Sequence, residues 1–332
     1  MISRASKFSS RNGFTIVELL IVVVVIAILA AITIVAYNGI KQRADASALS
    51  STLKQSVTWV GTQKASNGGI PPANLDGLTK SSEYTYGYKV IGSAYCVSVS
   101  NNSSKATYYA GSITAGAQYP GVCPYAHWSL AGLDNTGFSS VDASPVGNPS
   151  TTTNQKGQAN SAYSLTTGKY LNLSDSQWAD FFSSSNGFTV GAWVNLSQYG
   201  AETTSIVGQQ YGTSMVFAVR NNGRLQLRMD DTGLGLQSTD AVPLNSWHYV
   251  AVTYTPSDNH NARYYLDGVP SGVVSTFDGS GITDQPNLYI GWQSRTSSGA
   301  DSPFVGSVSE VSIYDRPLSD DEVMGVYVSS KP

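Results

Sequence analysis

From Phe14 to Tyr37 the chain is apolar at nearly every position, broken only by Thr15, Glu18 and Thr33. About 20 apolar residues in a helix span the roughly 30 Å hydrocarbon core of a bilayer, so 14–37 predicts a transmembrane helix. The pattern then changes without stopping. Between Lys41 and Ser66 the chain is polar, but Ala46, Leu49, Leu53, Val57 and Val60 recur at spacings of three and four. That is one apolar stripe on an amphipathic helix. No proline interrupts 14–70, which predicts a single helix over 14–66, about 75 Å long at 1.5 Å per residue. Gly39 and Gly61 are its weak points, and Gly68-Gly69-Ile70-Pro71-Pro72 ends it, since consecutive prolines remove donors and clash with helical geometry.

Beyond the helix the composition changes. Tyr84 to Val90, Ala94 to Val99 and Ala106 to Ala110 are rich in Tyr and Val and read as three short strands. So small a sheet buries little core. Cys96 and Cys123, the only cysteines in the chain, both fall in this stretch. In an exported domain such a pair reads as a disulfide, the alternative being two buried thiols. After Cys123, Gly, Ser, Thr and Asn alternate with short aromatic and β-branched runs. Asn222-Gly223 and Asp267-Gly268 stand where tight hairpins need positive φ. The fold class expected is α+β followed by all-β: a long helix with a small β head, then an antiparallel sandwich. Ser319-Asp320-Asp321-Glu322 is a capping box that starts a short helix through Tyr327.

Charge separates inside from outside. The leader before Phe14 holds Arg4, Lys7 and Arg11 and no acid, which favours the cytoplasmic side. Up to residue 66 there are seven basic and two acidic residues; after it, twelve and twenty. The outer part is mildly acidic, and no basic patch supports nucleic-acid binding. A secretory signal would be cut after its apolar run. Here the small residue, Gly13, precedes the run, so the helix stays on the mature chain. Glu18 is costly inside a membrane, and such residues usually have a functional partner; the plainer reading is that it reaches water near the membrane face.

Gly13-Phe14-Thr15-Ile16-Val17-Glu18 after a basic leader resembles the class III leader of type IV prepilins and pseudopilins. Asn12 departs from the basic residue often found before that glycine. The resemblance implies cleavage between Gly13 and Phe14 by a prepilin peptidase that methylates Phe14. It also implies pairing of Glu18 with the Phe14 amine of a neighbouring subunit during assembly. Cys96 and Cys123 then match the disulfide loop of many pilin heads. Residues 1–13 would be leader, 14–66 the pilin helix and 67–125 the head.

Residues 126–330 carry a second resemblance, to the concanavalin-like jelly roll of the laminin-G-like family. Its marks, in order, are Ala126-His127-Trp128-Ser129-Leu130, Phe188-Thr189-Val190-Gly191-Ala192-Trp193-Val194 and Asn222-Gly223-Arg224-Leu225. Asn245-Ser246-Trp247-His248-Tyr249-Val250-Ala251 and Tyr265-Leu266-Asp267-Gly268 follow, then Val311-Ser312-Ile313-Tyr314-Asp315-Arg316-Pro317-Leu318. The first and last segments pair in that fold. Members bind carbohydrates, matrix proteins or calcium.

Residues available for a ligand are few. Trp193 and Trp292 could present faces to sugar rings, with Tyr211 and Arg295 on loops; the alternative is aromatics packed in the sandwich. Calcium needs several hard oxygens, for which Asp230, Asp231 and Asp301 are the carboxylates on offer, and their spacing does not indicate the ion; no cofactor is expected. His127, His248 and His260 stand in no metal-ligand spacing, and structural roles are expected beside Trp128 and Trp247. No strand carries the paired carboxylates of a jelly-roll glycosidase, so no enzymatic activity is expected. The expected function is a minor pilin-like subunit of a type IV pilus displaying an adhesion or carbohydrate-recognition domain. The alternative is a pseudopilin of a type II secretion or DNA-uptake machine with a purely structural sandwich. Expected partners are the prepilin peptidase and methyltransferase, other pilin subunits, the membrane, and a glycan or surface protein. The chain would sit in the bacterial membrane with its N-terminus inside, then in an extracellular pilus or envelope pseudopilus.

Overall fold

The structure, a computed structural model, describes residues 16–178, 181–182, 186–209, 214–229, 237–256, 261–274, 285–293 and 303–332. Helix α1 runs Ile16–Ser66 with Glu18 in its first turn. The chain divides into two compact units, Met1–Ala48 and Leu49–Pro332. In the first, Ile16–Ile34 has a mean hydropathy of 3.1 and none of it is buried, as an apolar helix requires if lipid or other helices are to cover it.

In the second unit the stripe on α1 meets a four-stranded antiparallel sheet. The sheet is formed by Tyr84–Ile91, Ala94–Asn101, Thr107–Gly111 and Tyr119–Pro120, in that order. The first three are the strands expected; the fourth is short and aligns Tyr119 with Tyr109. Alternation decides the faces. Tyr95, Val97 and Val99 pack with Leu49, Leu53 and Val60 of α1. Cys96, Ser98 and Ser100, one residue out of phase, face the other way. Cys96 is bonded to Cys123, with the Cα atoms 5.9 Å apart.

Residues from Ala126 onward form two antiparallel sheets packed face to face. One orders Val269–Val274, Asn261–Leu266, His248–Thr255, Phe188–Leu196, Gly306–Tyr314, Ala162–Leu165 and Ser150–Thr152, and Ala126–Trp128 pairs with Gly306–Tyr314. First and last segments therefore do pair. The other orders Gln237–Ala241, Arg224–Arg228, Val216–Arg220, Thr203–Gln209, Leu288–Ile290, Tyr170–Asn172 and Ser144–Val146. Asn222-Gly223 and Asp267-Gly268 make the expected tight turns, with φ of +83° at Gly223 and +51° and +77° at Asp267 and Gly268. Between the sheets lie Phe188, Val190, Ala192 and Val194 from one and Phe217, Val219, Leu225, Leu227 and Ile290 from the other. Each of these side chains larger than Ala192 contributes about 1.5–3 kcal/mol on burial.

The head lies against the outer face of the first sheet, within the same compact unit. Lys89 of the head reaches Asp315 of the sandwich at 2.6 Å. Burial pushes the Lys89 amine down from its ordinary pKa, opposed by Asp315. Tyr109 places its hydroxyl 2.9 Å from His127 Nδ1, and Glu310 meets His127 Nε2 at 2.9 Å. His127 is thus a structural residue at the joint. Helix α2, Asp320–Ser330, starts at the expected capping box and runs three residues further than expected. It covers the rest of that face, burying Val323 and Val326 against Trp193, Tyr249, Ala251, Tyr265 and Tyr314.

Candidate functional site

With one outer face covered by head and α2, the outer face of the second sheet is left; Ser205, Gly208, Val216, Ala218, Gln226 and Arg228 in its middle are buried, and exposure is confined to its sides. Its side chains follow from register. Ser144, Asn172, Tyr289, Gly208, Val216 and Arg228 stand side by side across six strands. Ser205, Ala218, Gln226 and Gln237 make a neighbouring row. Leu171, Leu288 and Ile290 alternate with them and point into the core, which is why Tyr170 and Tyr289 point out.

Three aromatic rings gather at one side of this face. Tyr170 stacks on Trp292, with centroids 4.7 Å apart and planes 8° from parallel. Tyr289 meets Trp292 edge-on at 4.8 Å and Tyr170 at 5.6 Å. All three rings, and Asn172 beside them, are partly exposed. The middle of the face is small and apolar, with Gly208, Ala218 and Val216 buried. A Cβ on Gly208 would lie 2.8 Å from Ser205 Oγ, so the floor there has no room for a side chain. Beyond it, Gln226 and Arg228 are 2% and 6% exposed. The partly exposed aromatic faces suit a sugar ring, whose C–H face stacks on them; Gln226 and Arg228 are too buried to meet one.

Of the residues expected from sequence, Trp292 belongs to this cluster. Trp193 does not, and the expectation for it is corrected. It is 2% exposed, its ring is stacked on Tyr327 of α2, and its Nε1 donates to Ser330 Oγ at 2.9 Å. It has no free face for a ligand. Gly13, Phe14, Tyr211, Asp230, Asp231, Arg295, Asp301 and His260 lie outside the described residues. Among the described residues no group of three or more His, Cys, Asp or Glu is placed to hold a metal. Sequence reasoning missed Tyr170 and Tyr289. The available signal was alternation: Tyr170-Leu171-Asn172 and Leu288-Tyr289-Ile290 each turn their aromatic ring away from the core.

Comparison with known proteins agrees with both ends of the chain. Residues 8–34 match the prokaryotic N-terminal methylation motif, and residues 165–324 match the concanavalin A-like lectin/glucanases superfamily, in its laminin-G branch. The chain thus joins a prepilin-type N-terminus to a laminin-G-like, concanavalin-type sandwich. No curated protein sequence matches it significantly. Among solved structures, it is similar to domain 4 of AbnA, a GH43 extracellular arabinanase from Geobacillus stearothermophilus. Identity is 18%, over 63% of this chain and 100% of that one, with a TM-score of 0.49. It is also similar to the Trypanosoma rangeli sialidase, with 19% identity over 64% of this chain and 34% of that one, TM-score 0.46. For the receptor binding domain of the botulinum neurotoxin C/D mosaic serotype the figures are 13%, 62%, 51% and 0.49. The chain therefore spans about a third of the sialidase chain and about half of the toxin domain.

Proposed function

We propose that this chain is a minor pilin-like subunit of a type IV pilus that carries a carbohydrate-recognition domain outside the cell. One observation carries the reading. A methylation-motif N-terminus with an apolar helix stands on the same chain as a lectin-type sandwich, whose head-facing sheet is covered and whose opposite sheet presents an aromatic cluster. Cleavage after Gly13 by the prepilin peptidase leaves Phe14 at the N-terminus. Glu18 then lies where the Phe14 amine of a neighbouring subunit can meet it in the helical core of a filament. The sandwich works by binding rather than by glycosidic cleavage, and its ligand is a glycan held at the partly exposed Tyr170, Tyr289 and Trp292 cluster.

Two measurements test this. Shearing surface filaments and probing them for the chain should recover it with the filaments, in a form beginning at methylated Phe14; retention in the envelope favours the pseudopilin alternative. A glycan array probed with the full chain in detergent, with and without chelator, should give signals that Trp292→Ala lowers about tenfold or more, the scale of losing one stacked ring. An array signal unaffected by Trp292→Ala would remove the aromatic face from the proposal.

A further inference from the structure

Ser246, His248 and Asp267 form a chain of hydrogen bonds at one rim of the sandwich. Ser246 Oγ lies 2.9 Å from His248 Nε2, and His248 Nδ1 lies 2.8 Å from Asp267 Oδ2. We propose that these three residues are a hydrolytic triad, with Ser246 as nucleophile, His248 as general base and Asp267 as the residue that positions the imidazole. The activity would be hydrolysis of carboxylic esters, in addition to the binding role of the opposite sheet and independent of it.

The local structure supplies what each role requires. An ionised carboxylate only accepts, so Asp267 takes the proton of Nδ1. In the neutral ring Nε2 is then the acceptor, and the Ser246 hydroxyl donates to it at 2.9 Å in preference to the Leu244 carbonyl, its other acceptor, at 3.4 Å. That is the tautomer a serine nucleophile needs. Asp267 is itself held twice: its Oδ1 accepts from Tyr249 N–H at 2.9 Å, and its own N–H donates to the Tyr249 carbonyl at 2.8 Å. The His248 and Asp267 side chains are 17% and 32% exposed, so both are half-buried while Ser246 is exposed. The backbone just before the serine is bent. Asn245 has φ +60°, and its N–H donates to the Leu196 carbonyl at 2.8 Å, which pins the turn to the sheet. Asparagine is among the residues that most readily adopt this left-handed region, and here it marks the turn just before the exposed serine.

The chemistry closes with water as the only co-reactant. Ser246 Oγ attacks the ester carbonyl carbon while its proton passes to His248 Nε2. The bond from carbonyl carbon to alkoxy oxygen breaks, and the proton on Nε2 goes to the departing alkoxide, releasing an alcohol. Water then attacks the acyl-serine, giving one proton to Nε2. The carboxylic acid leaves, and that proton returns to Ser246.

The test uses the detergent-solubilised full chain. A fluorophosphonate probe should lose fluoride as its phosphorus bonds to Oγ, and peptide mapping by mass spectrometry should place the adduct on Ser246. Hydrolysis of p-nitrophenyl acetate should fall about 10²-fold in Ser246→Ala, the low end for a positioned base and nucleophile. The substituted side chain is exposed, so folding should be preserved. Asp267→Asn should lower kcat with KM held and abolish the downfield Nδ1 proton resonance of His248, which a purely structural role would not couple to rate. No adduct at Ser246 in the folded chain, or ester hydrolysis unchanged in Ser246→Ala, overturns the proposal.

Discussion

Single residues settle how charge is held at the start of α2. Arg316 forks onto Glu322, Nη1 at 2.8 Å from one oxygen and Nη2 at 2.6 Å from the other. The same carboxylate accepts from the Ser319 backbone N–H. Burial alone would raise the Glu322 pKa, but the Arg316 fork and the Ser319 bonds outweigh it and hold the carboxyl below its ordinary value. A group with a depressed folded pKa stabilises the fold above its unfolded pKa and loses that contribution as pH falls through the folded one. Stability should therefore be level at neutral pH and begin to fall below about pH 4.3, the usual glutamate value. Glu322→Gln should weaken the fold at neutral pH and flatten this part of the acid limb. Thermal melting of both forms between neutral pH and pH 3 would check it; parallel acid limbs would mean the fork contributes nothing. Because the pair is partly exposed, the effect is that of a screened ion pair, not a buried one.

At the scale of elements, what could be read in advance was whatever depends on neighbours along the chain. Runs rich in Tyr and Val gave the head strands, Asn222-Gly223 and Asp267-Gly268 gave the turns, and Ser319 with Glu322 marked the start of α2. What escaped depends on elements far apart in sequence. Trp193 alternates onto the outward side of its strand and so looks available, yet its neighbour Ser330 lies 137 residues further on. Only the return of α2 across the sheet turns an apparent ligand platform into packing. Tyr170 and Trp292 likewise meet because Tyr170–Asn172 and Leu288–Ile290 pair, an adjacency no local pattern announces. Helix α2 should therefore be indispensable. Ending the chain after Leu318 removes Val323, Val326 and Tyr327 from the Trp193 and Tyr249 surface. At about 1.5–3 kcal/mol per buried apolar side chain, the loss is about 5 kcal/mol, a large part of an ordinary domain's stability of roughly 5–15 kcal/mol. The truncated chain should melt well over ten degrees lower or fail to accumulate. A melting temperature within a few degrees of the full chain would show that α2 is an ornament on the sheet.

For the molecule as a whole, the consequence lies in the joint. The head and the sandwich are separate sequence patterns, but residues from Leu49 onward form one compact unit. Lys105 of the head reaches Asp321 of α2 at 2.9 Å, and the Thr107 N–H donates to Ser329 Oγ at 2.6 Å. The sandwich is thus held to the head at both of its ends, by the disulfide-anchored segment that leads into it and by α2 after it. Tyr109 stands in the middle, fully buried, which pushes its phenol well above the ordinary range and keeps it a neutral hydrogen-bonding partner for His127 and Thr136. If the joint couples the two parts, Tyr109→Phe should cost about 1 kcal/mol, the usual net worth of one hydrogen bond. The cost should appear in both parts together. Hydrogen exchange on head peptides around Val97 and on sandwich peptides around Val252 would then report the same drop in opening free energy, in one cooperative transition. Acceleration confined to the head peptides would mean that the sandwich folds on its own and is only moored there. A coupled joint has a functional corollary: a load applied to a ligand on the Trp292 face would reach α1 through packed side chains and a covalent cross-link, not through a slack linker.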